Sequence, residues 1–462
     1  MLNHSLTATS SLEQWLTYLE TLHPTEIDLG LDRIKQVAKN LALQTPFVTI
    51  TVAGTNGKGS TCTILDAILR AAGYKTGLYT SPHLVHYNER IQLNGELATD
   101  AQITQQFFRI EQARGEVSLS YFEFATLAAL LMFEQEKVDV AILEVGLGGR
   151  LDAVNMVDAD CSILTSVDID HIAYLGDSRE AVGWEKAHVF RPGRPAICAD
   201  PLPPESVERY ASEIGADLWL FGKDFNYSGD SQQWAYGGRE QRRAGLAYPS
   251  LRGVNQLLNA SAALAALEAL NMKLVVSAQA VRSGLNRASI PGRLQILPGE
   301  PLVVLDVAHN PHAAGALAQN LDQMPCTGRT LAVLGMLNDK DAAGVLRLLI
   351  DRIDSWYVAS LEGPRGLSSR DLAALLNGVK KMGAVQSNPQ EVGASDGDRK
   401  PGVRPAAGKR VNYFETTVRE CENPVKAFEQ ALTDAQPNDR ILVFGSFATV
   451  GPVLKHLGRD PR

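Results

Sequence analysis

Seven residues, Gly54-Thr-Asn-Gly-Lys-Gly-Ser60, lie between an apolar, β-branched run and a helical apolar pattern. The run Phe47–Ala53 predicts a strand. Ile64, Leu65, Ile68 and Leu69 share one face of a predicted helix over Gly59–Ala72, which stops at Gly73. Strand, glycine-rich loop and helix in this order form the setting of a phosphate loop. Backbone amides of such a loop turn toward anionic oxygens, the helix N-terminus adds its dipole, and Lys58 can reach the terminal phosphates. Ser60 or Thr61 can contact a metal. The spacing departs from GxxxxGKS/T: two residues separate Gly54 from Gly57, and Gly59 follows the lysine. Without its flanks the segment would read as a turn with a solvated lysine; the flanks favour phosphate.

The rest of the chain repeats the alternation. Strands are predicted over Lys75–Thr80, Val138–Val145, Cys161–Val167 and Pro195–Ala199, with helices over Ser11–Leu22, Leu31–Leu41, Phe122–Gln135 and Asn255–Leu270. A second alternating region carries strands over Leu302–Val307, Thr330–Gly335, Ser355–Ser360 and Arg440–Phe444. The expected fold class is therefore α/β: an N-terminal P-loop-type, mostly parallel sheet flanked by helices, plus a smaller C-terminal Rossmann-like α/β domain. The boundary is placed so that residues 1–290 form the first domain and 291–462 the second, with Ser289-Ile-Pro-Gly-Arg293 as the hinge. Residues 386–411, polar and rich in Gly and Pro, read as a mobile surface insertion.

A chain of 462 residues is too long for one ordinary domain. Its net charge of −8 argues against nucleic acid, whose readers carry a basic face, yet leaves room for an anionic small ligand held by local cations. Five cysteines, with no CxxC pair, argue against a zinc site or a disulfide framework and for a reducing compartment. The N-terminus lacks a signal-peptide pattern. The longest apolar runs, such as Ala125–Phe133, are too short to cross a bilayer. The expectation is a cytoplasmic protein without membrane or nucleic-acid partners.

Unusual polar residues gather where strands are predicted to end, the edge at which open α/β sheets bind ligands. Glu144 closes one strand and precedes Gly146-Leu-Gly-Gly-Arg150; Asp168 and His171 follow another. A carboxylate beside phosphates suits Mg²⁺, and an imidazole can serve a second ion. Taken singly, Glu144 could be a capping carboxylate, His171 a satisfied core histidine, and Lys186 an ordinary helix lysine. In the second region Asp306-Val-Ala-His-Asn-Pro311 again places polar groups after a strand.

Eight segments occur in one order: GTNGKGS (54–60), YTSPHL (79–84), NERI (88–91), EVGLGGRLDA (144–153), DIDH (168–171), EKA (185–187), PGRLQ (291–295) and DVAHNP (306–311). Together they resemble bacterial folylpolyglutamate synthase, especially its bifunctional dihydrofolate synthase form, over residues 25 to 450. The resemblance implies an ATP phosphate loop at Thr55, Asn56, Gly57 and Lys58, with further nucleotide contacts from Asn259, Arg293 and Asp306. It implies two Mg²⁺ ions: Ser81 and Glu144 as ligands of one, His171 of the other, and Lys186 carried as a carbamate that binds metal. Ile27 and Asp28, Ser120, Tyr121, Phe122 and Glu123, and Leu151, Asp152 and Ala153 correspond to the pterin-side pocket, and His309 to a histidine near the transferred phosphate. The family pattern has a His-Gln pair ahead of Asn259, where this chain has Val254-Asn255-Gln256. It has Ala-Gly after the lysine, where this chain has Ala187-His188, expected to crowd that helix.

The implied reaction transfers the γ-phosphoryl of ATP to the carboxylate of 7,8-dihydropteroate or of a tetrahydrofolate. The amine of L-glutamate then displaces phosphate, with a monomer as the working form. Lys58, Lys186 and His309 would carry the chemistry. Three other readings compete. A ligase for peptidoglycan precursors needs an additional substrate domain, for which the region before Phe47 is too short. A polyglutamate synthase without dihydrofolate synthase activity is disfavoured by the Tyr121–Glu123 segment. A non-catalytic nucleotide switch is disfavoured by the metal-type residues and the Asp306–His309 loop.

Overall fold

The computed structural model describes residues 6–25, 27–230, 232–386 and 416–459. The chain forms two compact units, one up to Pro291 and one from Gly292. Of the 386–411 segment, Gln386 ends a helix (Ser369–Gln386) and the remainder lies outside the described residues.

The first unit is built on eight strands: β1 (Val48–Ala53), β2 (Thr76–Tyr79), β3 (Ile91–Leu93), β4 (Glu96–Leu97), β5 (Val140–Glu144), β6 (Cys161–Leu164), β7 (Pro195–Cys198) and β8 (Asp217–Leu220). Their order in the sheet is β4-β3-β2-β5-β1-β6-β7-β8. All pairings from β2 to β8 are parallel, and β3 and β4 add an antiparallel edge. Because the central parallel strands are covered on both faces, their residues are buried without alternation, Thr49, Thr51 and Ser162 among them, and successive side chains feed two different cores. Ile50, Val52, Val140, Ile142 and Ile163 pack with helices Lys58–Ala71, Gln256–Ala269 and Ala278–Arg287. Ala53, Ala141, Leu143 and Leu164 pack on the other face with helices that include Leu12–Leu22, Asp100–Arg114 and Tyr121–Glu136. β1 sits at the centre with β5 and β6 on either side, so the strand order reverses there. The crevice beyond β1 is the place such a sheet reserves for a ligand.

A separate antiparallel sheet of β9 (Asn226–Gly229), β10 (Trp234–Gly237) and β11 (Arg242–Leu246) was not anticipated. Its strands are short, and half-polar outer faces blur the period-two signal. What pins it is tertiary. Glu268, on helix Gln256–Ala269, accepts the Tyr236 hydroxyl at 2.7 Å and the backbone N–H groups of Glu240 and Gln241 at 2.7 and 3.0 Å.

The second unit has six strands: β12 (Gln295–Leu297), β13 (Leu302–Asp306), β14 (Thr330–Leu334), β15 (Ser355–Ala359), β16 (Thr417–Cys421) and β17 (Arg440–Phe444). The order is β12-β13-β17-β14-β15-β16, parallel except for β12. Helices Pro311–Gln323, Ala342–Leu349 and Ser369–Gln386 share its main core. Asn310 starts the first of these: its side chain accepts the Ala313 N–H, and Pro311 occupies the first turn, where its missing N–H is no loss.

Candidate active site

The loop after β1 is shaped by glycine. Gly57 takes φ +91° at the N-cap of helix Lys58–Ala71, a conformation that disfavours side chains; a Cβ there would also lie 2.6 Å from Oδ1 of Asn259. The loop is tied to the segment following β6. Thr55 N donates to Ser166 O at 2.8 Å, Asn56 N to Ser166 Oγ at 3.0 Å, and Thr165 Oγ1 to Asn56 O at 2.7 Å. The Thr55 hydroxyl donates to Asp168 O at 3.0 Å and lies 2.9 Å from the Asp168 N–H. Thr165 and Ser166 thus brace the loop, a role the sequence reading did not assign; their place at a strand end was the available signal.

Two lysines meet at one backbone oxygen. Lys58 Nζ donates to Gly54 O at 3.0 Å and Thr55 O at 3.2 Å, and Lys186 Nζ donates to the same Gly54 O at 3.0 Å. Lys186 is only 5 % exposed. Burial, and then the charge of Lys58, push its ammonium down from 10.5 to about 7, so a substantial neutral fraction exists near neutral pH. Its helix, Arg179–Ala187, is held against the Gly146–Arg150 loop. Arg150 N donates to Glu185 O at 3.0 Å, and at Gly149 an added Cβ would lie 2.6 Å from Glu185 O.

Glu144, at the end of β5, is 4 % exposed. Its Oε2 accepts the Ser81 N–H at 3.2 Å, and its carboxylate faces the first turn of the phosphate-loop helix, 3.7 Å from where a Cβ of Gly59 would be. Asn259 lies beside Gly57, and its amide donates to Gln256 Oε1 at 3.1 Å. His171 takes φ +53° ahead of a short helix (Ile172–Leu175), with Nε2 4.0 Å from Asp170 Oδ1. Among the described residues, no three His, Cys, Asp or Glu side chains group closely enough to hold a metal by themselves.

His188, expected to crowd that helix, follows its last residue, Ala187, and packs its imidazole between Trp184 of the helix and Tyr210, with ring centres 4.2 and 3.9 Å away. Its Nδ1 bonds the Trp184 carbonyl at 2.7 Å. Asn255 precedes helix Gln256–Ala269 at its N-cap position and makes no side-chain cap bond.

The residues of the expected pterin-side pocket come from three distant segments. Gly30 N donates to Leu151 O at 3.2 Å, joining the Ile27–Asp28 stretch to the Leu151–Ala153 stretch. Asp152 is buried, with its oxygens accepting the Leu147 and Val154 N–H groups at 2.8 and 3.0 Å; burial pushes its carboxyl up to about 6. Ser120 and Glu123 form a capping box at the start of helix Tyr121–Glu136. Tyr121 stands over Arg90, whose guanidinium is 5.5 Å from its ring centre and from that of Tyr87. Phe122 packs where a Cβ of Gly146 would be and lies 5.9 Å from the Tyr79 ring. Arg90 Nε donates to His83 Nδ1 at 2.9 Å; burial, together with Arg90, lowers His83 to about 4.

In the second unit Arg293, Asp306 and His309 gather beside Phe447. The Arg293 guanidinium is 5.1 Å from that ring's centre and the His309 ring 6.4 Å. Asp306 accepts the Leu294 and Ala308 N–H groups, each at 2.8 Å; burial raises its carboxyl, and Arg293 partly opposes the rise. His309 Nδ1 bonds Val307 O at 2.8 Å, which fixes the ring and leaves Nε2 as its other polar atom.

The first unit matches the Mur ligase middle domain over residues 52–267, and the second the Mur ligase glutamate ligase domain over residues 292–447. The chain is 43 % identical over 450 residues to the dihydrofolate synthase/folylpolyglutamate synthase of Escherichia coli (strain K12), covering 97 % of this chain and 96 % of the relative. It is 31 % identical over 480 residues to the protein of the same name from Mycobacterium tuberculosis, covering 95 % and 92 %. Among solved structures, E. coli FolC in complex with DHPP and ADP superposes with a TM-score of 0.87 at 42 % identity, covering 98 % of this chain and 99 % of the other. The bifunctional enzyme from Yersinia pestis CO92 superposes with a TM-score of 0.84 at 44 % identity, covering 98 % and 100 %. With both domain models matched and near-complete coverage of its relatives, the chain belongs to the dihydrofolate synthase/folylpolyglutamate synthase family of Mur ligases.

Proposed function

We propose that this protein ligates L-glutamate to 7,8-dihydropteroate, forming dihydrofolate, and to the γ-carboxyl of tetrahydrofolates, using ATP and passing through an acyl phosphate. The observation that carries the site assignment is the convergence of Lys58 and Lys186 on the Gly54 carbonyl, at the mouth of a phosphate-type loop. Relatives have been solved with ADP and DHPP, and with Mn, AMPPNP and L-glutamate.

A carboxylate does not condense with an amine at neutral pH, so it must first be activated. A carboxylate oxygen attacks the γ-phosphorus and ADP leaves; the glutamate amine then attacks the acyl carbon, phosphate leaves and the amine gives up a proton. In this reading the Thr55–Lys58 amides and the Lys58 ammonium bind and orient the phosphates, and Asn259 borders the loop. Arg293, Asp306 and His309 are assigned to the nucleotide and the transferred phosphate by the family resemblance. Ile27, Asp28, Ser120–Glu123 and Leu151–Ala153 hold the pterin end.

The donor set fits two Mg²⁺ ions. Mg²⁺ keeps several waters and takes one or two carboxylates plus substrate phosphates, so an all-protein cage is not required. Glu144 and Ser81 would hold one ion at the first turn of the loop helix, and His171 with a carbamate on Lys186 the other. When bound, the ions neutralise charge on the transferring phosphoryl group. The depressed lysine favours the carbamate: a neutral amine can add CO₂, and the product anion replaces a buried like-charge conflict with attraction to Lys58.

Action as a monomer in the cytoplasm completes the proposal. All five cysteines are free, which suits a reducing compartment, and among the described residues no helix is long and apolar enough to cross a membrane. The test is phosphate release by the purified protein with ATP, Mg²⁺ and glutamate, with products identified by mass. Turnover of both dihydropteroate and tetrahydrofolate is the expected result. Turnover of tetrahydrofolate alone would reduce it to a polyglutamate synthase, and silence with both would overturn the proposal.

A further inference from the structure

Two carboxylates of the expected pterin-side pocket share one guanidinium. Arg33, on helix Asp32–Asn40, donates from Nη1 to Asp28 Oδ2 at 2.7 Å and from Nη2 to the Asp28 carbonyl at 2.7 Å. Its Nε and Nη2 donate to Glu123 Oε2, each at 3.4 Å, while Glu123 Oε1, 3.3 Å from Nε, has no hydrogen-bond partner among the described residues. The two acids differ in what else holds them. Glu123 is 2 % exposed, and its Oε2 accepts both the N–H and the hydroxyl of Ser120 at 2.8 Å. Asp28 has a side chain 41 % exposed, and its Oδ2 takes a second donor, His23 Nε2–H at 3.0 Å. His23 is itself fixed: its side chain is 7 % exposed, and its Nδ1 is 2.7 Å from the Ser118 hydroxyl. Among the described residues nothing bonds Asp28 Oδ1.

We propose that Arg33 and His23 are positioning residues for the pterin-bearing substrate. By committing Oδ2 of Asp28 they leave Oδ1 to accept an N–H from that substrate, and Arg33 ties Glu123 to the same carboxylate. This inference rests on the functional proposal above. The sequence gives no such hint for either residue, since an arginine on a short amphipathic helix and a histidine after one read as solvated side chains. An exposed carboxylate with free rotation would lose entropy on meeting a ligand; two donors on one oxygen remove most of that loss beforehand.

The test compares the full-length wild type with His23→Ala, His23→Gln and Arg33→Lys in steady-state kinetics, with thermal unfolding alongside. Loss of a hydrogen bond to a charged group corresponds to about tenfold or more in affinity. The expected result is a KM for 7,8-dihydropteroate raised about tenfold in His23→Ala, with kcat and the KM values for ATP and glutamate within about twofold. His23→Gln should restore most of it, because the glutamine amide can replace Nε2–H. Arg33→Lys should raise the same KM, because an ammonium cannot serve both the carboxylate and the carbonyl of Asp28 while reaching Glu123. An unchanged dihydropteroate KM in His23→Ala and Arg33→Lys, or kcat and all KM values moving together without rescue by glutamine, overturns the inference. A wild type that does not turn over dihydropteroate overturns the functional proposal instead, and this one with it.

Discussion

Replacing Lys186 by methionine should make the ligand-free protein more stable and inactive. The ammonium of Lys186 is buried beside Lys58, and its pKa falls from 10.5 to about 7. At about 1.4 kcal/mol per unit, the folded state carries a penalty on the order of 5 kcal/mol whenever the unfolded lysine is protonated and the folded one is forced toward neutrality or buried charge. Methionine matches the length of the stem without the charge. The hydrogen bond to Gly54 O is lost, at about 1 kcal/mol, but that oxygen keeps its bond from Lys58. The net gain near neutral pH is therefore roughly 4 kcal/mol. Its pH dependence is diagnostic. Between the folded pKa near 7 and the unfolded value near 10.4 the unfolded chain binds more protons, so the wild type gains stability as pH rises through that window. The advantage of the variant is full below about pH 7 and shrinks by roughly 3 kcal/mol on going to about pH 9.5. Urea unfolding in CO₂-free buffer, followed by tryptophan fluorescence, measures it. Four of the five tryptophans, Trp15, Trp184, Trp219 and Trp234, lie in the first unit. A variant whose advantage is absent, or equal at both pH values, would refute the account of a buried, depressed lysine. Adding bicarbonate should then stabilise the wild type and leave the methionine variant unchanged.

Other expectations follow from the same geometry. Lys58→Ala should lower turnover by at least ~100-fold, the scale of a lost transition-state donor; an unchanged rate in the phosphate-release assay would remove Lys58 from the site. Gly149→Ala forces a methyl to within 2.6 Å of Glu185 O and 2.9 Å of Lys186 O, so thermal unfolding should show a loss of about 1–3 kcal/mol, with activity falling because the Lys186 helix is displaced. Tyr236→Phe removes the hydroxyl donated to buried Glu268 and should cost about 1–2 kcal/mol in urea unfolding while kcat stays level; a fall in kcat would mean that the β9–β11 sheet bears on the reaction.

Much of the first unit could be read from the chain. The strands predicted there are short, largely apolar runs, and the predicted helices are striped or apolar on most faces, so these five strands and five helices fall within a few residues of their predicted ends. The phosphate loop was legible for the same reason: its glycines and lysine are contiguous, and their purpose is local. The β9–β11 sheet and the β3–β4 hairpin were not, because short strands with one polar face leave little periodicity and owe their place to partners such as Glu268.

The sequence by itself determined the loop, the alternation and the family, since these rest on neighbours along the chain. Only the tertiary structure decided that Lys186, an ordinary-looking helix lysine, meets Lys58 at a single carbonyl, because that meeting joins residues 132 positions apart. It also decided how deeply each of the two carboxylates on Arg33 is buried. Asp28 and Glu123 are equally acidic in isolation, and burial together with the sharing of Arg33 separates them. Charge, burial and hydrogen-bond supply are properties of a place in space, and side chains acquire them only when distant segments come together.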